Sequence, residues 1–191
     1  PKAVIVKSID SASPWAVLHL GMGHHGRIQL NATGQGWNDS VYWRDNPTSS
    51  VFELATTTDV NGNDADYIAY IWHDVDGYSK FGSYKGNANA DGSFIYLGFR
   101  PKYFMIKAST TTDGWVIYDS LRDSDGTTGY NKGTAKLRLF ADNDPAETEI
   151  GTLDFLSNGV KIRASGLAMN EAHTYIYLAF AETPFKYSNA R

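Results

Sequence analysis

The chain has 191 residues, no cysteine, 17 Lys and Arg against 21 Asp and Glu, and a formal net charge of -4. The missing thiols exclude disulfides, thiolate metal sites and a cysteine nucleophile, and the scattered basic residues form no stripe that would neutralise phosphates or anionic lipid. No apolar run approaches the ~20 residues that span a bilayer, so neither nucleic acid nor membrane insertion is expected, and a start at Pro1 without a signal-like segment suggests a fragment of something longer.

In chain order, short β-branched and aromatic runs bounded by Gly, Asn, Asp or Pro recur, while apolar spacing of i, i+3, i+4 is nearly absent. Strands are predicted near 3–7, 15–20, 27–31, 41–43, 51–55 and 67–73, then near 94–99, 103–107, 115–119, 135–140, 153–155, 160–164 and 175–181. Asp144-Pro145-Ala146-Glu147 has an N-cap, a proline at the first position and a glutamate at the third, and predicts one or two helical turns. Ala3–Val6, Tyr103–Ile106, Tyr67–Trp72 and Tyr175–Phe180 are continuously apolar and read as central strands covered on both faces.

The two series echo each other. PKAVIVKSIDSASPW at 1–15 returns as PKYFMIKASTTTDGW at 101–115. Trp15–Leu18 answers Trp115–Tyr118, Arg27–Leu30 answers Lys136–Leu139, Phe52–Leu54 answers Val160–Ile162, and Tyr67–Trp72 answers Tyr175–Phe180. The order is kept and the offset grows through loops, as copies of one scaffold require. The expected fold is all-β, two tandem copies of a β-sandwich-like unit of jelly-roll or lectin-like type with little or no helix. Residues 1–92 form the first copy and 93–191 the second, or the two fuse into one body. The strand before Pro101 has no counterpart before Pro1.

Chemistry is sparser. His19, His24 and His25 fall within seven residues of a glycine-rich loop, but no HExxH spacing and no nearby carboxylate accompanies them. Asp59, Asn61, Asn63, Asp64 and Asp66 offer alternating oxygens, but the glycine is misplaced for an EF-hand and no bidentate glutamate follows; a tight Asn-Gly turn is the simpler reading. No metal, no cofactor and no catalytic residue is expected: no GxSxG elbow, phosphate loop or dinucleotide fingerprint is present, and no spacing selects a carboxylate pair for glycoside cleavage.

Aromatics beside amides and histidines are the more telling pattern, because sugar C–H faces stack on Trp and Tyr while polar edges bind hydroxyls. The tentative glycan contacts are Trp37, Asn38, Tyr42, Trp43, His24 and His25, with Trp15, Trp72 and Trp115 assigned to the core. The loop from Ser120 to Gly133, longer than its counterpart, is a further place where the copies differ.

The run Tyr67–Asn87, the run Asp91–Lys102, the phrases Pro47–Phe52 and Asp154–Gly159, and the ending Phe180–Arg191 together resemble a β-rich domain of large virion proteins of tailed, especially marine, bacteriophages. The resemblance covers nearly the whole chain. It implies a non-enzymatic structural module on the virion surface, part of a tail fibre or spike that adheres to host surface glycan. It also implies other virion proteins as partners and a homo-oligomer, a trimer in a fibre. The alternatives are a purely architectural role, as capsid decoration or fibre spacer, and a glycan-degrading enzyme.

Overall fold

The computed structural model describes residues 1–122, 134–166 and 168–183. Most of the Ser120–Gly133 loop, Leu167 and the last eight residues of the phage-like ending lie outside the described residues.

Two antiparallel sheets account for the strands. The first contains β1 (Ala3–Ser8), β2 (Ala16–His19), β3 (Gly26–Gln29), β4 (Trp37–Asn38) and β5 (Tyr67–Trp72), in the order β4-β3-β2-β1-β5. The second contains β6 (Ser79–Lys85), β7 (Phe94–Tyr96), β8 (Pro101–Ala108), β9 (Trp115–Asp119), β10 (Thr134–Phe140), β11 (Thr148–Leu156), β12 (Gly159–Ile162) and β13 (Thr174–Ala181). Its order is β6-β13-β8-β9-β10-β11-β12-β7. The chain is therefore all-β. Its hydrogen bonding changes sheets between Trp72 and Ser79, so β6 joins the larger sheet although it precedes residue 92.

Packing of side chains, which alternate from face to face along each strand, stacks these sheets in layers. The eight-stranded sheet curls on itself, enclosing Phe104, Ile106, Val116, Tyr118, Tyr175 and Tyr177 against Ile95, Leu153, Phe155, Val160 and Ile162. The opposite face of β6, β13, β8 and β9 carries Phe81, Leu178, Ile176, Met105 and Trp115, which pack on Ala3, Ile5, Val17 and Ile28 of the first sheet. The middle layer is thus covered on both sides, which is why β8 and β13 read as unbroken apolar runs. Beyond the first sheet, Tyr42, Trp43 and Val60 cover Val4, Val6, Ala16 and Leu18.

Several polar groups fasten the layers. His19 on β2 crosses to β13, its Nε2 3.0 Å from the Tyr177 carbonyl, while its Nδ1 accepts from the Gly21 N–H. A carbonyl only accepts, so Nε2 carries the proton. Burial pushes this imidazole down to about 4, because charging it would strip water from an ion with no carboxylate in contact. Lys107, fully buried on β8, donates to the carbonyls of Thr33 and Ala108. Burial pushes it down to about 8, and its bond to Thr33 ties the 30–36 loop onto the larger sheet.

Four expectations are corrected. Tyr67–Trp72 is not a central strand: β5 ends its sheet, and Ile68, Tyr70 and Ile71 stand 41, 41 and 53% exposed. Residues 41–43 and 51–55 form a crossing loop joined by one bridge, Trp43 to Leu54, rather than two strands, since Asp45, Asn46 and Pro47 break the ladder between them. Asp144–Glu147 is not helical; among the described residues the single α-helical turn is α1 (Thr58–Asn61), which replaces the expected Asn-Gly turn. Ile28 sits opposite Val17 and Leu139 opposite Ile117. By strand pairing, Ile28 therefore matches Leu139 and not Leu137, one pleat along from the expected match.

Candidate functional site

The expected glycan contacts come from two neighbouring segments, His24–His25 and Trp37–Trp43. β3 and β4 pair with Arg27 opposite Trp37 and Gly26 opposite Asn38. Directly opposed residues project to the same side, so the Arg27 guanidinium lies over the Trp37 ring at 4.7 Å and over Tyr42 at 5.1 Å. Its Nε donates to Asp39 Oδ1 at 2.8 Å. That bond, with the N–H of Val41 on the same carboxylate, holds the Asp39 carboxyl below its usual range. The outcome is an aromatic–cation–carboxylate shelf at the edge of the first sheet.

Trp37 is 41% exposed and Asn38 and Ser40 are exposed beside it. A groove of about 250 Å³ runs from Trp37 and Asn38 past Gly21, Met22 and Gly36 to Ser109, Thr110 and Thr174. The hydroxyl-bearing wall belongs to the larger sheet, so the groove lies between layers. His24 and His25 are half-buried with their rings 4.0 Å apart. His25 Nδ1 lies 3.2 Å from the Trp43 carbonyl and 3.3 Å from the Ser40 hydroxyl, which holds the ring against the 40–43 segment.

Tyr42 and Trp43 leave the set of glycan contacts, because they are 2 and 0% exposed. The Tyr42 hydroxyl donates to Asp59 Oδ2 at 2.9 Å and accepts from the Gln29 amide at 3.0 Å, joining α1 to β3. Trp43 packs edge-on to Tyr42 within the outer core. With Asp59 so engaged and Asp66 drawn by its N–H to Asp10, the Asp59–Asp66 acids diverge. Among the described residues no cluster of three or more His, Asp or Glu is placed to hold a metal.

Sequence reasoning missed Arg27, Ser109, Thr110 and Thr174. Only the pairing of a two-residue strand reveals the first, and the other three arrive from the second half of the chain with no local signature. It also missed a stacked series at the other edge, where Tyr70 lies 6.5 Å from Trp15 and 6.2 Å from Trp72, ring to ring.

A family model described as a domain of unknown function (DUF7483) matches residues 1–184. No curated protein matches. No solved structure matches.

Proposed function

The chain belongs to the DUF7483 family, and from the geometry of the shelf and the phage-like phrases of its sequence we propose that it is a non-catalytic glycan-binding module of a bacteriophage fibre or spike. The observation that carries the reading is Trp37. A tryptophan left 41% exposed gives up part of the ~2 kcal/mol that full burial of a large apolar side chain contributes. Here it lies beside Asn38, Asp39, Ser40 and a groove lined by Met22, Ser109, Thr110 and Thr174, the mixture of apolar and polar groups that suits a sugar's apolar face and polar rim. The virion setting rests on the phage-like phrases at Tyr67–Asn87 and Asp91–Lys102.

The test is a glycan array and titration with host surface polysaccharide, comparing the wild type with Trp37→Ala. The proposal expects saturable binding that weakens at least tenfold in the variant, with the melting temperature nearly unchanged. Binding that survives Trp37→Ala intact, or no binding to any host glycan, overturns it. A purely architectural role is the second reading, favoured by the apolar strand β5, which is uncovered among the described residues and has the character of an assembly surface.

A further inference from the structure

β5 is a terminal strand without a single charged residue, proline or glycine in Tyr-Ile-Ala-Tyr-Ile-Trp. Proteins that stay monomeric blunt such edges with charge, bulges or cover. The chain does this at β6, where Asp74 accepts the Phe81 N–H and Val75 bridges to Ser79. At β5 no such cover exists among the described residues, and Ile9, Val51, Ile68, Tyr70 and Ile71 are exposed around it. A groove of about 380 Å³ lined by Val51, Phe52, Ile71 and His73 runs beside it.

The other sheet shows what such a position holds when filled. β1 pairs β5 with Ala3 opposite Trp72 and Ser8 opposite Tyr67, while β8 pairs β13 with Tyr103 opposite Phe180 and Ala108 opposite Tyr175. At offsets of 100 and 108 the registers coincide, so β5 occupies the place of β13. The far edge of β13 takes an antiparallel neighbour, β6, along seven residue pairs. Ile9 donates to the Asp66 carbonyl on the β1 side, so alternation turns the peptide groups of Tyr67, Ala69 and Ile71 outward. Their counterparts on β13 are Tyr175, Tyr177 and Ala179, which face β6.

We propose that the open edge of β5 pairs with β5 of a second copy, antiparallel about a two-fold axis at Ala69, joining two five-stranded sheets into one of ten strands. This register sets Tyr67 against Ile71 of the second copy and Ile68 against its Tyr70, aromatic–aliphatic pairs of the kind that stabilise sheets. Sliding by one further pleat would oppose Asp66 to Asp74. The antiparallel choice follows the filled position on the other sheet, where β13 takes β6 antiparallel along its far edge. Such a contact is isologous and closes at two copies, unlike the fibre trimer that the phage resemblance implies.

The test is sedimentation of the wild type over a wide concentration range beside Ala69→Pro, Ile71→Lys and Ala69→Cys. Ala69→Pro removes an outward N–H only and leaves the β1 ladder its donors. Paired residues of this type lie about 5.5 Å apart at Cα, a span that a disulfide bridges. Because the chain has no other cysteine, oxidised Ala69→Cys should run as a covalent dimer, and an Asn38→Cys control should not. The proposal expects a wild-type dimer that Ala69→Pro and Ile71→Lys convert to folded monomer with at least a tenfold weaker association. A wild-type monomer at all concentrations, a trimer, or a dimer indifferent to both edge variants overturns it, and none of these outcomes bears on glycan binding at Trp37.

Discussion

At the scale of single residues, His19 makes the strongest demand on solution conditions. Its native site keeps the ring neutral down to about pH 4, while the unfolded chain takes up a proton near 6.5. Above that unfolded value both states are neutral and the contribution is complete. As pH falls from 6.5 towards 4 the unfolded state gains a proton that the native state refuses, so stability declines over that window by about 3 kcal/mol and the slope from this group then ends. Denaturant melts of wild type and His19→Gln should show the decline shrinking in the variant, and an unchanged decline would clear His19 of the effect. The tryptophans give a second contrast. Trp43→Ala empties a fully buried site and should cost about 3–5 kcal/mol, whereas Trp37→Ala should cost less than about 1 kcal/mol; equal costs in urea melts would contradict the assignment of one to core and the other to the shelf. The sequence did not separate them, since both stand in one aromatic, amide-rich stretch, and only the loop that folds Trp43 under α1 does so.

At the scale of elements, legibility followed the source of burial. Strands β1, β8, β9 and β13 were readable because local apolar runs announce them. β6 was not, since Ser-Lys-Phe-Gly-Ser-Tyr-Lys is stabilised by seven pairings with β13, and its Gly82 is needed where the Tyr177 ring comes closer than a Cβ would allow. β5 misled in the opposite direction, because its composition is that of a central strand and its position is an edge. The 86–92 connection, at the expected boundary between the copies, is held by fully buried Asn170. The two N–H groups of the Asn170 amide are shared among Asn87 Oδ1 and the carbonyls of Asn89 and Ala164, and its oxygen accepts from the Asn87 N–H. Gly86 passes so close to the Glu171 carbonyl that no Cβ fits. Asn170→Ala should therefore cost at least about 2 kcal/mol through the partners left unsatisfied and raise amide exchange across 86–92; exchange unchanged in that segment would show that the loop is held by something else.

At the scale of the whole molecule, the shared middle layer decides how the chain behaves. Ile176 and Leu178 of β13 pack on the first sheet, while Tyr175 and Tyr177 pack against the strands across the curl. Neither sheet can leave without exposing the other, so calorimetry should show one cooperative transition, and two separated transitions would contradict the layered account. All-β character was legible from composition and turn residues; the stacking was not, because it depends on which face of β8 and β13 each layer claims. The same stacking builds the candidate site, bringing Thr174 of β13 and Ser109 and Thr110, just past β8, to Trp37 of the first sheet. The most direct test of that site is a titration of host surface glycan into wild type and Trp37→Ala at matched stability. The account predicts saturable wild-type binding that falls at least tenfold in the variant; equal affinity in both proteins, or no binding in either, would contradict it.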